Sequence, residues 1–290
     1  MNILVTGATG FIGRHLINEF RKEHSLYVLC RSEKSLKELN LPGFLMTDDI
    51  YALAAYIKEY RIEGIVHLAS LYLPVHTAGQ IKDLIMSNVF FGTAILEAVS
   101  LAGTVRWFLN TGTIWQNYMV EGNDYNPVNL YAATKQSFID IAKFYVETSK
   151  IRFCTLKLCD TYGPNDTRKK ILRLFKDCSE SGELLKMSPG DQLLDILYIS
   201  DVIEGFRQLV NLLAADEKID DQYVLSSGNQ ISLKMLASVF EDVAQTKLNI
   251  EWGARSYRDR EVMTPWKGPV LKNWKAKIPL REGIELFLQG

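Results

Sequence analysis

Residues 1–22 read MNILVTGATGFIGRHLINEFRK. A short apolar run leads into glycines, after which Phe11, Ile12, Leu16, Ile17 and Phe20 recur at helical spacing. The stretch therefore reads strand, turn, helix. Gly7, Gly10 and Gly13 fall in the turn, where a bound dinucleotide would set its pyrophosphate against backbone N–H groups and the helix N-terminus. Side chains at these places would block that approach. A glycine triplet on its own equally suits a merely tight strand-to-helix turn.

The alternation continues. SLYVLC (25–30), GIVHLAS (64–70), RWFLNT (106–111) and RFCTLKL (152–158) read as strands, with helical spacing across Ile50–Tyr60, Ile81–Leu101 and Leu130–Lys150. This rhythm predicts an α/β fold, a doubly wound parallel sheet of Rossmann type with helices on both faces. After Tyr162-Gly163-Pro164 the rhythm breaks into more polar segments, expected to form a smaller, discontinuous substrate lobe. DILYI (195–199) and QYVLSS (222–227) are expected to rejoin the large sheet. The expected division is residues 1–160 plus about 192–227 for the cofactor domain, and 161–191 plus 228–290 for the substrate lobe. No internal repeat or low-complexity tract interrupts the chain.

With 290 residues, 47% hydrophobic and 23% charged, the chain can bury a substantial core, and disorder is excluded. A formal net charge of −1 provides no global field for nucleic acid or an anionic membrane, so neither is expected as a partner. Any anion must be held locally. Cys30, Cys154, Cys159 and Cys178 form no CxxC pair and have no histidine at ligand spacing; buried free thiols are expected, with no disulfide and no metal site. No targeting leader is read, and no apolar stretch is expected to reach the ~20 residues of a bilayer span. A cytoplasmic location is the resulting expectation.

At the end of the second strand, where an adenosine ribose would lie, an NAD site typically offers an acidic residue. Here Cys30 is followed by Arg31 and Ser32, which suits a 2′-phosphate and predicts NADP(H). Arg14 is either a second contact to that phosphate or a solvated helix arginine. Asp48 either meets the adenine or caps the next helix.

Tyr131 and Lys135 stand four apart, on one face of a helix. A lysine ammonium beside a phenol lowers its pKa from about 10 and makes it an acid-base group near neutrality. Thr111, at the end of another strand, offers a hydroxyl to hold a carbonyl oxygen.

Together these stretches resemble the extended short-chain dehydrogenase/reductases, within the NAD-dependent epimerase/dehydratase family acting on nucleotide sugars. The resemblance runs nearly the whole length: TGATGFIG, HLAS (67–70), NVFFGT (88–93), Thr111 with Tyr131-xxx-Lys135, TYGPND (161–166), YISDV (198–202) and WKAKIPLREGI. It implies that Thr111, Tyr131 and Lys135 are catalytic. It also implies a cofactor lined by Gly7, Gly10, Phe11, Ile12, Gly13, Arg31, Ser32, Asp48, Leu68, Ala69, Ser70, Tyr131 and Lys135, with Asn88 either beside it or a buried structural amide. Trp115, Asn165, Met187 with Ser188, and Arg258 become candidate substrate contacts, Trp115 as an apolar wall or as plain packing. Relatives pair the helices 81–101 and 130–150 in a homodimer.

Family dehydratases carry Asp-Glu directly after the threonine; Gly112 and Thr113 stand here and can neither protonate a leaving group nor abstract a carbon-bound proton. NTGTIWQNY (110–118), PVNLYAATK and LKMSPGDQLLDILYI further resemble reductases that finish 6-deoxy and 3,6-dideoxy sugars of surface polysaccharides such as O-antigen, the CDP-abequose and CDP-paratose synthases. The implied reaction is NADPH-dependent reduction of the 4-keto group of a CDP- or dTDP-linked deoxysugar. A 4-epimerase with retained NAD(P), or a non-catalytic cofactor-binding protein, are the alternatives. One departure concerns the substrate diphosphate: Leu194 precedes Asp195 where relatives have an arginine. Arg168, Lys169, Lys170 and Arg173, or Arg255, Arg258 and Arg260, are candidate substitutes. His76 lies near the expected sugar entrance, with a structural role as its alternative.

Overall fold

The computed structural model describes residues 1–290. It begins with β1 (Asn2–Thr6), α1 (Phe11–Phe20), β2 (Ser25–Cys30), α2 (Glu33–Leu39), β3 (Gly43–Leu45), α3 (Ile50–Glu59) and β4 (Gly64–His67). A continuous helical run follows, in which α4 (Ile81–Ile85) passes through a π-helical turn (Met86–Phe90) into α5 (Phe91–Ala102). Then come β5 (Trp107–Thr113), α6 (Leu130–Thr148), β6 (Arg152–Leu158), β7 (Asp160–Tyr162) and α7 (Ile171–Ser181). The remainder is β8 (Leu185–Lys186), β9 (Leu193–Leu194), β10 (Ile196–Tyr198), α8 (Ile199–Ala214), β11 (Gln222–Leu225), β12 (Ile231–Ser232), α9 (Leu233–Ala244), β13 (Ile250–Glu251) and α10 (Leu280–Gln289).

Seven strands form one sheet in the order β11-β6-β5-β4-β1-β2-β3, every neighbouring pair parallel. The central strands are apolar throughout because helices cover both faces: Ile3, Leu4, Val5, Ile65, Val66, Phe108 and Leu109 are fully buried. One face packs on α3, α5 and α6, and the other on α1, α7, α8, α9 and α10. The core on the second face runs without interruption from Ile3 to Phe287. Strand order reverses between β1 and β4, which opens a crevice beyond their carboxyl ends.

Two sequence expectations are corrected, and two elements were not foreseen. DILYI does not rejoin the large sheet; Ile196–Tyr198 pairs with Asp160–Tyr162 in a separate two-stranded sheet, while Gln222–Leu225 takes the sheet edge beside β6. A short apolar run specifies burial and leaves the pairing partner open. The polar α2, with no buried residue, and the three-residue β3 carry no periodic signal and escaped the reading. Residues Ala78–Ala102 form one helical run that is long and apolar enough to cross a bilayer, with a mean hydropathy of 1.7, against the expectation that no such stretch exists. Its apolarity has a use in the fold: Leu84, Phe91, Ala94, Ile95, Leu96, Ala98 and Val99 are buried. The four cysteines are buried and unpaired, as expected.

Candidate active site

Beyond the carboxyl ends of β1, β2 and β4 lies a cavity of about 1170 Å³, lined by Gly7, Gly10, Arg31, Ser32, Asp48, Leu68, Ala69 and Ser70 among others. Gly7 adopts φ +69°, and a Cβ there would fall 2.6 Å from the backbone N of Ala69. A Cβ on Gly13 would fall 2.2 Å from the carbonyl of Gly7, so the first turn of α1 closes on the loop only with glycine. Phe11 and Ile12 continue the turn, Ile12 reaching the neighbouring cavity. Arg31 stands exposed at the rim, and Ser32 caps α2 while its hydroxyl meets that of Ser35 at 2.9 Å. Ser35, which the sequence reading missed, also lines the cavity. Two alternatives close here. Arg14 does not face the cavity; it pairs with Glu38 at 2.6 Å and donates to the Thr9 carbonyl. Asp48 lines the cavity, and Asp49 is the cap of α3.

Asn88 is the structural amide. Buried in the π-helical turn, its Oδ1 accepts from Leu71 N (2.7 Å) and the Ser70 hydroxyl (3.2 Å), and its Nδ2 donates to the Leu71 carbonyl and to Thr134 Oγ1. Thr134 in turn donates to the Tyr131 carbonyl at 2.7 Å. Asn88 thus ties the loop after β4 to the turn of α6 that carries Tyr131, and has no group left for a cofactor.

A second cavity of about 560 Å³ adjoins the first and gathers Thr111, Tyr131 and Lys135 with Ser70, Tyr72, Trp115, Asp160, Lys169 and Lys170. Asn129 caps α6 by accepting from Ala132 N, which starts the helix so that Tyr131 and Lys135 share its inner face. The Thr111 hydroxyl is buried and has no hydrogen-bond partner. In the low-dielectric wall of a cavity, such a group is available to an oxygen that arrives with the ligand. Burial pushes the Tyr131 phenol up to about 12, against smaller opposing effects of the Ser70 hydroxyl and the Lys170 ammonium. The expected lowering by Lys135 therefore does not dominate: Tyr131 is a protonated donor at neutral pH. Lys135, 1% exposed, is brought down to about 8 by burial.

The places after Thr111 are shaped by packing. A Cβ on Gly112 would fall 2.7 Å from Thr155 Cγ2, 2.8 Å from Gln116 Oε1 and 2.9 Å from Lys157 Cγ. Thr113 caps the short helical turn 114–116, accepting from Trp115 N. Trp115 thereby reaches the cavity, its ring edge-on to Tyr131 at 6.5 Å, with the Arg258 guanidinium 5.4 Å from the Trp115 ring centroid. Arg258 also forms two hydrogen bonds to Glu261.

Other candidates lie elsewhere. Asn165 and Met187 do not line the cavity: Asn165 sits in a left-handed turn (φ +60°) beside the C-terminal Gly290, and Met187 packs against the main core. Ser188 hydrogen-bonds Gln192, and His76 is exposed away from the cavity. Arg168 lines the cavity with its guanidinium committed to Asp166, Thr161 and the Phe11 ring. Arg173 pairs with Asp177, and Arg260 binds Asn126 over the Tyr118 ring. Of the candidate cations, Lys169 lines the cavity without an ion pair, and Lys170 lines it paired with Asp160 at 2.8 Å. Leu194 packs against the core and offers nothing to an anion.

Residues 3–225 match the NAD dependent epimerase/dehydratase family. The chain belongs to that family. Among its relatives, CDP-abequose synthase of Salmonella muenchen is 26% identical over 292 residues, 99% of this chain and 96% of that protein. CDP-abequose synthase of Yersinia pseudotuberculosis is 27% identical over 268 residues, covering 91% and 92%. Solved structures share the fold: MoeE5 in complex with UDP-glucuronic acid and NAD superposes with a TM-score of 0.82 at 22% identity, covering 100% of this chain and 98% of that one. UDP-glucose 4-epimerase from Thermotoga maritima, with UDP-glucose, gives 0.82 at 20% identity, again covering 100% and 98%.

The family's nicotinamide dinucleotide fits the first cavity. Gly7 and Gly13 leave the approach of a pyrophosphate open at the N-terminus of α1, and the cavity continues into the wall that carries Thr111, Tyr131 and Lys135. Sequence reading missed Tyr72 and Asp160, which line the same cavity. Nothing in LYLPV or CDTYG marks them; the carboxyl ends of β4 and β6 bring them together.

Proposed function

We propose that the chain is an NADPH-dependent reductase of the 4-keto group of a CDP- or dTDP-linked deoxyhexose. The observation that carries this reading is a buried, unpartnered Thr111 hydroxyl sharing one cavity with a protonated Tyr131, with Gly112 and Thr113 following Thr111 where an elimination would need carboxylates. Similarity to CDP-abequose synthases along nearly the whole chain supports the substrate class.

In this reading Thr111 donates to the carbonyl oxygen and aligns it, and Tyr131 delivers its proton to the same oxygen. A positioned general acid contributes about 10²–10⁴-fold. Reduced nicotinamide, when bound, supplies the hydride to the carbonyl carbon. Lys135 holds the nicotinamide ribose hydroxyls, and its charge stabilises the phenolate left when Tyr131 gives up its proton. Arg31, with the hydroxyls of Ser32 and Ser35, receives the 2′-phosphate. Lys169 and Lys170 take the diphosphate role left open by Leu194, and the smaller lobe closes over the nucleotide. Exposed Ile81, Ile85, Phe90, Phe144 and Val146 on the neighbouring helices α4 to α6 support a homodimer through that face.

The test is consumption of NADPH or NADH by the purified protein with CDP-, dTDP- and GDP-linked 4-keto-deoxysugars. Turnover with one nucleotide and a preference for NADPH is the expected result. Interconversion of nucleotide sugars without added cofactor would instead establish an epimerase.

A further inference from the structure

Thr6 and His67 end the paired strands β1 and β4, opposite each other in the register, and both are fully buried. The proposed reaction uses neither. Thr6 Oγ1 lies 2.9 Å from His67 Nδ1 and accepts from Ala69 N at 3.1 Å. His67 Nε2 is buried without a partner, and its ring packs among those of Phe91, Phe108 and Phe138 at 6.0, 5.6 and 5.4 Å between centroids.

Counting hydrogens assigns the tautomer. If Nδ1 carried the hydrogen, the Thr6 oxygen would accept twice, and both its own hydrogen and the Nε2 lone pair would be stranded in the core. If Thr6 donates to Nδ1, the one orphan is Nε2–H, which an aromatic face accommodates and a lone pair does not. His67 is therefore a neutral acceptor; burial first, and the Lys135 charge second, hold it well below the usual histidine range. The Thr6 hydroxyl gives its single hydrogen to His67 and keeps its lone pairs for the Ala69 amide.

That amide sits where two cofactor loops meet. It is the same Ala69 N that a Cβ on Gly7 would approach to 2.6 Å, and Gly7, Leu68, Ala69 and Ser70 all line the dinucleotide cavity. We propose that His67 is a positioning residue for the nicotinamide dinucleotide: by orienting the Thr6 hydroxyl it fixes the Ala69 amide and holds residues 68–70 against the Gly7 turn. This rests on the fit of the dinucleotide to that cavity and is independent of the sugar chemistry.

The test is titration with NADPH and NADH, beside thermal melts, of wild type, Thr6→Val, His67→Phe and His67→Asn. Thr6→Val keeps the shape and should weaken both cofactors alike by about 3–10-fold, the worth of one net hydrogen bond. His67→Phe fills the ring's place without an acceptor, whereas His67→Asn is smaller but offers Oδ1 near the place of Nδ1. His67→Asn should therefore melt lower than His67→Phe and yet bind the dinucleotides more tightly. A role in stability alone would make affinity follow Tm, and that result overturns the inference, as does a Kd for Thr6→Val within a factor of ~2 of wild type. Nitrogen NMR of the wild-type imidazole should show Nδ1 bare and Nε2 protonated; the opposite tautomer or a charged ring overturns the inference even if no variant folds. Wild type that binds no nicotinamide dinucleotide overturns it together with the cofactor fit. Weakened cofactor binding by Thr6→Val in a protein that turns over no 4-keto sugar supports it while overturning the proposed reaction.

Discussion

The Cβ that Gly112 lacks would fall 2.8 Å from Oε1 of Gln116, the same oxygen that accepts a hydrogen bond from Thr113 N. The residue after the strand-end threonine is thus pressed between Gln116, Thr155 and Lys157, and any side chain there must displace the turn that presents Trp115. Gly112→Ala should overpack this site at a cost of about 1–3 kcal/mol. A fall in Tm of roughly 2–4 °C for each kcal/mol would register in a thermal melt. An unchanged Tm would mean that the turn yields freely and that packing does not dictate the glycine.

Tyr131→Phe removes the proton donor and leaves the ring against Tyr72 and Trp115. Its kcat should fall by about 10²–10⁴-fold with the cofactor's Kd within a factor of ~2. Thr111→Val removes a hydroxyl with no protein partner, so folding stability should hold or rise while kcat/KM falls by ~10²-fold, as for loss of one donor to a developing oxyanion. If Thr111→Val lowered Tm markedly, the hydroxyl would have a structural partner that contradicts its isolation.

The parts of the site written in short-range pattern were legible. TGATGFIG announces a turn because glycine spacing and helical periodicity adjoin, and Tyr131 with Lys135 share a face because helices repeat every 3.6 residues. What depends on several strand ends at once was not. Tyr72 and Lys170 are separated by nearly a hundred residues, and only the parallel order β4-β5-β6 brings their loops together. Asn88 looked equally like a cofactor ligand and a structural amide until its four partners were visible. Asn165 and Met187 came from motif position alone; the chain turns left-handed at one and packs the other into the core.

Arg31 stands at the rim of the dinucleotide cavity beside the Ser32 and Ser35 hydroxyls. Arg31→Ala should raise the KM for NADPH by about 10–100-fold, the worth of charge-assisted contacts of ~1.5–3 kcal/mol. The NADH constants should stay within a factor of ~2, because no 2′-phosphate is involved. Parallel losses with both cofactors would assign Arg31 to the shape of the loop instead of to phosphate recognition.

Lys157 is 2% exposed, donates to Asn117 Oδ1 at 2.6 Å, lies 4.6 Å from the centre of the Trp266 ring, and has no carboxylate partner. Burial lowers it to about 8, as it does Lys135. An unfolded lysine titrates near 10.4. Between about pH 8.5 and 10 each of these lysines is therefore protonated in the unfolded chain and largely neutral in the folded one, and each makes stability rise with pH. Cys30, Cys154 and Cys159 act the other way, since burial raises them and the unfolded chain releases thiol protons from about 8.5. The thiols outnumber the lysines, so wild-type stability should fall gently across this range. Lys157→Met removes one opposing contribution. Denaturant melts of the variant should fall more steeply than wild type, by up to ~1.4 kcal/mol per pH unit. Parallel pH profiles for the two proteins would show that Lys157 keeps its proton in the folded state, stabilised by Asn117 and Trp266 despite its burial.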